Sequence, residues 1–200
     1  MRFHNPLTHI LDNKTKVLCL RILCKHPTQI SGRQLAKIVN INPTTVNKAM
    51  KSLAQEDVVF FRAVGKSYLY EINNKSWVVS KVLIPAFKLE GCLLDTFIKE
   101  ISKSIKASPI KNCIISVALF GSVHEHAEGP GSDIDLFFVV KKAKDKKKVA
   151  DLFMNTPLGG AIEPYIKTVA EFRKNRNLNV ITSILNSHRI IWGERLGRIL

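Results

Sequence analysis

A chain of 200 residues in which 46% are hydrophobic, with only 10 Gly and 8 Pro, is neither disordered nor collagen-like and has room for one large domain or two small ones. Its 31 Lys and Arg against 16 Asp and Glu give a net charge of +15, which draws polyanions without specifying a fold. The longest uncharged apolar stretch, residues 112–123, falls short of the ~20 residues that cross a bilayer.

In chain order, Met1-Arg2-Phe3-His4-Asn5-Pro6 has no apolar run ending in small residues, so no secretory leader is expected. Asp12 or Asn13 can cap a helix through Lys25, where His26-Pro27 stops it. Cys19 and Cys24 fall on different faces of that helix. With Cys92 and Cys113 they form no C-x-x-C pair and no zinc spacing. Reduced, mostly buried thiols in a cytoplasmic protein are the expectation. Ser31 caps a short helix over residues 32–39, with Leu35, Ile38 and Val39 expected inward. After a turn at Asn40-Ile41, Asn42 and Pro43 start a third helix that runs to about Gln55. Val46, Ala49, Met50 and Leu53 recur at i, i+3, i+4 and i+7 and make one buried stripe. Residues 58–64, a Gly65-Lys66-Ser67 turn and residues 68–72 read as a β-hairpin.

This order resembles the winged helix-turn-helix family over about the first 76 residues. The resemblance implies a DNA-binding domain. Thr44, Thr45, Asn47, Lys48 and Lys51 face outward on the third helix, offering hydroxyl, amide and ammonium groups to a major groove. Arg62 and Lys66 stand on the wing, near the duplex backbone. The segment holds 12 Lys and Arg against 4 Asp and Glu. A solvated polar face or a protein-docking module is the competing interpretation.

Residues 77–107 show apolar residues at helical spacing, interrupted by Pro85 and weakened at Gly91. They read as a helical connector over residues 77–108, closed by Ser108-Pro109. A second domain is then expected over 109–200.

Residues 114–120 read as a buried strand ending at Gly121-Ser122. Ten residues separate Ser122 from Asp133-Ile134-Asp135, which opens a second apolar run through Val140. On a strand, i and i+2 share a face, so the two carboxylates project together and Ile134 and Leu136 take the other side. Neighbouring acids repel unless cations sit between them, and Mg²⁺ prefers carboxylate oxygen with phosphate. Gly121 permits close backbone approach, and Ser122 offers a hydroxyl and an N–H to phosphate oxygens.

The stretch LFGSVHEHAEGPGSDIDLFFVV closely resembles the nucleotidyltransferase family of the DNA polymerase β superfamily, above all its minimal and aminoglycoside-modifying members. The resemblance covers about residues 110–200. It implies a mixed sheet flanked by helices and transfer of a nucleoside monophosphate from an NTP, with ATP expected, to an acceptor hydroxyl. Asp133 and Asp135 are then the metal-holding catalytic acids for Mg²⁺ or Mn²⁺, and Gly121 and Ser122 hold the nucleotide. The family takes a third acid from a later strand. Glu163 is the only acid in the candidate strand over residues 161–168, whereas Asp151 and Glu171 fall on expected helices. Pro164 lacks an N–H and argues for an edge strand. One departure stands out: many members follow Gly-Ser with a segment containing Arg-Gly, and this chain has Val123-His124-Glu125-His126. His124 and His126 are expected as solvated loop residues. The six lysines within residues 141–148 either attract a polyanion or form a solvated face.

The fold expected is therefore α+β in two domains: an N-terminal winged helix-turn-helix, a connector and a polymerase-β-like nucleotidyltransferase. The function expected is metal-dependent nucleotidyl transfer coupled to binding of double-stranded DNA, with a homodimer possible and the acceptor open. The alternative is a DNA-binding regulator, antitoxin-like, whose second domain senses nucleotide or docks a partner. Helices over residues 169–176 and 178–187 and a closing Arg189-Ile190-Ile191-Trp192-Gly193-Glu194 segment complete the chain, the last with no chemical role assigned.

Overall fold

Short polar caps set the helices of the N-terminal half. In the computed structural model, which describes residues 3–65, 67–154 and 162–200, a one-turn helix α1 (Leu7–Ile10) precedes α2 (Lys14–Lys25). Asn13 is the cap of α2, its side chain accepting from the Lys16 amide at 3.0 Å. Asp12 has a different task. Its carboxylate accepts from the buried Lys16 ammonium, which also donates to the His9 carbonyl, so one lysine ties α1 to α2.

A two-residue strand β1 (Ile30–Ser31) leads into α3 (Gly32–Val39). Ser31 and Gln34 make a capping box there, each side chain taking the other's backbone N–H. Asn40 ends α3 in the left-handed conformation at φ 53°. Asn42 then caps α4 (Pro43–Gln55) by accepting from the Thr44 amide at 2.8 Å. Val46, Ala49, Met50 and Leu53 are all buried, the stripe that their spacing predicts. Ile38 corrects the expectation for α3: it is 55% exposed, and Ala36 takes the inner position beside Leu35.

The wing is a three-stranded antiparallel sheet in the order β1, β3 (Ser67–Ile72), β2 (Val59–Val64). Ile30 pairs with Tyr70 and Ser31 with Leu69. Lys66, expected on the wing, lies outside the described residues.

Two stretches of residues 77–107 behave differently from one another. A π-helical turn (Val79–Leu83) runs directly into α5 (Ile84–Gly91). A wider turn just before Pro85 accommodates a residue that cannot donate to the carbonyl four positions back and whose ring would clash with it. Val78, Val79, Leu83 and Phe87 join the core built by α2, α3, α4 and the wing. The helix then breaks at Cys92, and α6 (Leu93–Ala107) places Ile98, Ile101 and Ile105 in a second, separate core. The molecule accordingly divides into Met1–Leu93 and Leu94–Leu200. The expected connector over residues 77–108 is shared between these two units, and the expected limits at 76 and 109 are not where the packing changes.

In the second unit, a short 3₁₀ turn leads to β4 (Ile114–Leu119). There follow a one-turn helix α7 (Gly121–His124), β5 (Ile134–Val140), α8 (Asp145–Met154), β6 (Ile162–Thr168), α9 (Val169–Lys174), α10 (Asn179–Asn186), β7 (Arg189–Gly193) and α11 (Leu196–Ile199). The sheet runs β6-β5-β4-β7. β5 and β6 are parallel, while β4 is antiparallel to both β5 and β7. Pro164 does lie on an edge strand. Alternation along β5 divides the core: Leu136, Phe138 and Val140 pack toward Ile101 and Val149, whereas Phe137 and Val139 pack toward Phe172, Ile181 and Leu196.

The closing Trp192-Gly193-Glu194 segment has a structural role. Gly193 stands at φ 76°, where a Cβ would collide with the Ile115 carbonyl. The Glu194 carbonyl accepts from the Ser116 hydroxyl at 2.7 Å. These contacts fasten β7 to β4. Among the described residues, no helix is long and apolar enough to cross a membrane. Among the described residues no disulfide joins the four cysteines; Cys19 is buried, but Cys92 is exposed, against the expectation of mostly buried cysteines.

Candidate functional site

The parallel pairing of β5 with β6 sets Asp135 and Glu163 opposite each other as register partners. Asp133 lies two residues before Asp135, just outside the first residue of β5, near enough for its charge to act on the Asp135 carboxyl. Hence three carboxylates that are far apart in sequence meet at one end of the sheet. Their proximity is visible in Asp135, whose carboxyl is pushed up first by burial and then by the negative charges of Glu163 and Asp133. Asp133 and Glu163 are exposed, and Asp135 is half-buried between them.

β4 delivers the remaining parts. Its last residues run antiparallel to the start of β5, and the Phe120 amide donates to the Asp135 carbonyl at 3.1 Å. The chain then turns at Gly121, where φ is 71° and a Cβ would meet the Asp135 carboxylate. Only glycine lets the backbone lie against that acid. Ser122 is half-buried in the first turn of α7. His124 is half-buried, His126 is exposed, and the latter takes a left-handed φ of 58°. Beneath the acids, the same sheet face continues as an aromatic floor. Phe137 lies 5.7 Å from Tyr165 and 5.3 Å from Phe172 between ring centroids.

Glu171, a weaker candidate for the third acid because of its expected helix, does lie on α9 and is occupied elsewhere. It completes a capping box with Thr168 and pairs with Lys146 at 2.6 Å. Asp151 is exposed on α8. Among the described residues, no three His, Cys, Asp or Glu side chains are gathered tightly enough to enclose an ion as they stand. Hard carboxylate oxygens held together against their mutual repulsion are nonetheless the donor type that Mg²⁺ and Mn²⁺ take. A magnesium site commonly uses only one or two protein carboxylates beside phosphate and water. The donor set therefore fits.

The face of α4 is less uniform than its sequence suggests. Thr44, Thr45, Lys48 and Lys51 are exposed. Asn47 is a correction: it is half-buried, its carbonyl oxygen accepts from the Tyr70 hydroxyl at 3.0 Å, and it packs against Gly32. It serves the join between α3, α4 and β3. The Lys51 ammonium sits 4.8 Å above the Tyr68 ring, and Phe61 meets that ring edge-on at 5.7 Å. Together with Ala54 and Gln55 these side chains line a cavity of about 390 Å³. Arg62 is exposed on β2 and donates to Gln29 at 2.8 Å.

Residues 12–59 match the family of winged helix-turn-helix DNA-binding domains, and residues 96–191 match the nucleotidyltransferase domain family. The chain thus joins a winged helix-turn-helix domain to a nucleotidyltransferase-family domain. It is similar to the HTH-type transcriptional repressor YtrA of Bacillus subtilis (strain 168), at 28% identity over 118 residues, covering 52% of this chain and 91% of that protein. Among solved structures it is similar to HlyU from Vibrio cholerae N16961, with a TM-score of 0.37 and 15% identity over 42% of this chain and 87% of the other. The AntR antimony-specific transcriptional repressor gives 0.38 and 20%, over 46% and 78%. A toxin–antitoxin structure with AMP-PNP gives 0.33 and 14%, over 50% and 76%.

Proposed function

We propose that the second unit moves a nucleoside monophosphate from an NTP, with ATP the first candidate, to an acceptor hydroxyl, and that the first unit binds double-stranded DNA inside the cell. The observation that carries the reading is the register of Asp135 against Glu163 on adjacent parallel strands. Asp133 stands just ahead of β5, where its charge acts on Asp135, and Gly121 is packed on the Asp135 carboxylate.

Asp133 and Asp135 would hold Mg²⁺ or Mn²⁺, with Glu163 sharing one ion. A bound divalent ion supplies charge neutralisation at the phosphates between which the bond breaks. Glu163, exposed beside Asp135, accepts the proton of the attacking hydroxyl. Gly121 removes the Cβ that would separate the phosphate tail from the acids, and Ser122 donates to its oxygens. Pyrophosphate is the leaving group.

A labelled-NTP transfer assay tests this reading, with Mg²⁺ or Mn²⁺ and candidate hydroxyl acceptors. Asp133→Ala and Asp135→Ala should each lose transfer by a factor of about 10² or more, as removal of one preorganised electrostatic group does. Wild-type protein that binds no NTP in the presence of metal would sink the proposal.

The similarity to a transcriptional repressor supports a second reading, a DNA-binding regulator whose nucleotidyltransferase unit senses nucleotide or docks a partner. His124-Glu125-His126 in place of the Arg-Gly segment suits that reading too. NTP binding without transfer to any acceptor selects it. A homodimer would then present two α4 helices to a duplex with two half-sites.

A further inference from the structure

A second polar site lies on the same face of the catalytic sheet. His188, just ahead of β7, and Arg195 and Arg198, at the start and within α11, line a cavity of about 530 Å³ over an apolar floor of Leu185, Ile190 and Leu196. Among the described residues no acidic side chain lines it, and no ion pair involves either arginine. Two unpaired guanidinium groups around one concave surface are a constellation suited to phosphate oxygens, which they meet with planar, forked donors.

Its position relative to the acids follows from register. Ile190 pairs with Ala118 and Arg189 with Leu119, so β7 begins at the end of the sheet where β4 reaches Gly121. Ile190 and Leu185 pack in the cluster that contains Phe137 and Ala118. Phe137 shares its face with Asp135, two residues earlier on β5. The cavity and the carboxylates therefore share one face and one end of the sheet. β7, which carries Ile190 of the cavity floor, lies two strand spacings, about 10 Å, from β5, and Glu163 is one strand further on β6.

We propose that this cavity binds a phosphate group of the acceptor, so that the acceptor is itself a phosphorylated molecule. The proposal rests on the nucleotidyltransferase reading above. In that reading Gly121 and Ser122, just past the end of the intervening strand β4, already serve the NTP's phosphates beside the acids. A second anion site two strands away serves a second anionic substrate. An acceptor anchored there by its phosphate brings its hydroxyl toward Glu163, on the far side of Asp135.

The test follows the arginine Nε–H and His188 ring resonances of the full-length protein by NMR during titration with inorganic phosphate. Saturable shifts are expected at Arg195, Arg198 and His188. Gly197 lines the same cavity, and a Cβ placed on it meets nothing within 4 Å. Gly197→Glu accordingly adds a carboxylate without strain and should weaken phosphate binding roughly tenfold or more. Arg195→Ala with Arg198→Ala should do the same, with the circular dichroism spectrum unchanged.

A second arm repeats the titration with saturating ATP and Mn²⁺. Phosphate retained at Arg195 and Arg198 beside bound ATP supports an acceptor site. Displacement by ATP assigns the cavity to the nucleotide and overturns the proposal. So do shifts that spread over the lysines of residues 141–148 without saturating, or that are untouched in Gly197→Glu. Failure of ATP to bind at all removes the transferase reading, and the acceptor role with it, while the phosphate arm reads the cavity by itself.

Discussion

Gly121 and Asp135 define each other at the residue scale. The glycine's missing Cβ is filled by the aspartate's carboxylate, and that carboxylate is held where burial, Glu163 and Asp133 all disfavour its charge. Because the folded Asp135 carboxyl is raised above its unfolded value, its ionisation works against folding. The penalty is absent below the unfolded carboxyl range and fully present once pH exceeds the raised folded value. Asp135→Asn keeps the shape and removes the charge. In metal-free buffer near pH 7, its melting temperature should exceed that of wild type. Added Mn²⁺ should raise wild type and leave the variant nearly unmoved. Calorimetry with and without metal measures both, and a wild-type melting temperature insensitive to Mn²⁺ would contradict the ion site. The acid pair was legible because a period of two and its distance from Gly-Ser are sequence properties. The role of Asn47 was not. Its place on the outward arc of α4 says nothing of Tyr70, which reaches it from β3.

Elements show a similar division. α2, α3 and α4 were legible because Asn13, Ser31 and Asn42 are local caps acting within three residues. α1 is four residues long, too short for periodicity to register, and β1 exists only through its pairing with β3. The π-helical turn ahead of Pro85 was foreseen only as an interruption, since whether a proline stops or widens a helix depends on the packing of Val79 and Leu83. The junction of β6 with α9 carries a pH dependence of its own. Glu171 is lowered to about 2, first by the Lys146 hydrogen bond and then by the Thr168 amide. A carboxyl depressed on folding lends stability above its unfolded range, and that stability is lost as pH falls toward 2. Both partners are partly exposed, so the ion pair itself adds little, while the capping contacts are worth about 1 kcal/mol. Glu171→Ala should therefore lower stability at pH 7 and flatten its decline between about pH 4 and 2, followed by urea unfolding across that range. A parallel decline in wild type and variant would remove Glu171 from the acid response.

At the scale of the whole molecule, the excess of +15 resolves into distinct surfaces. Lys48 and Lys51 stand exposed on α4, and six lysines cluster over residues 141–148. Each lysine that neutralises a phosphate contributes about 0.9 to the slope of log affinity for duplex against log salt. Lys48→Ala should reduce that slope by about 1 and weaken binding evenly across sequences. Lys51 is partly committed to Tyr68, so its replacement should also disturb the wing. Fluorescence anisotropy of a labelled duplex at several salt concentrations reads both, and an unchanged slope in Lys48→Ala would turn the α4 face into a protein-docking surface. The two-unit division was legible only in outline. The sequence marks Pro85 and Ser108-Pro109 as breaks, yet the packing changes at residues 93–94, because α5 and α6 bury their apolar faces in different cores.

The pairing of β7 with β4 bears on how the protein is made. Until Arg189–Gly193 has been synthesised, the apolar run Ile114–Leu119 has a partner on one side only. Its other edge presents unsatisfied backbone groups along a hydrophobic strand, a template for pairing with another chain. The first unit holds all of its own core by Leu93 and can fold as it leaves the ribosome. The second has to wait, and a nascent chain arrested before Trp192 would carry a finished DNA-binding domain attached to an aggregation-prone half-sheet.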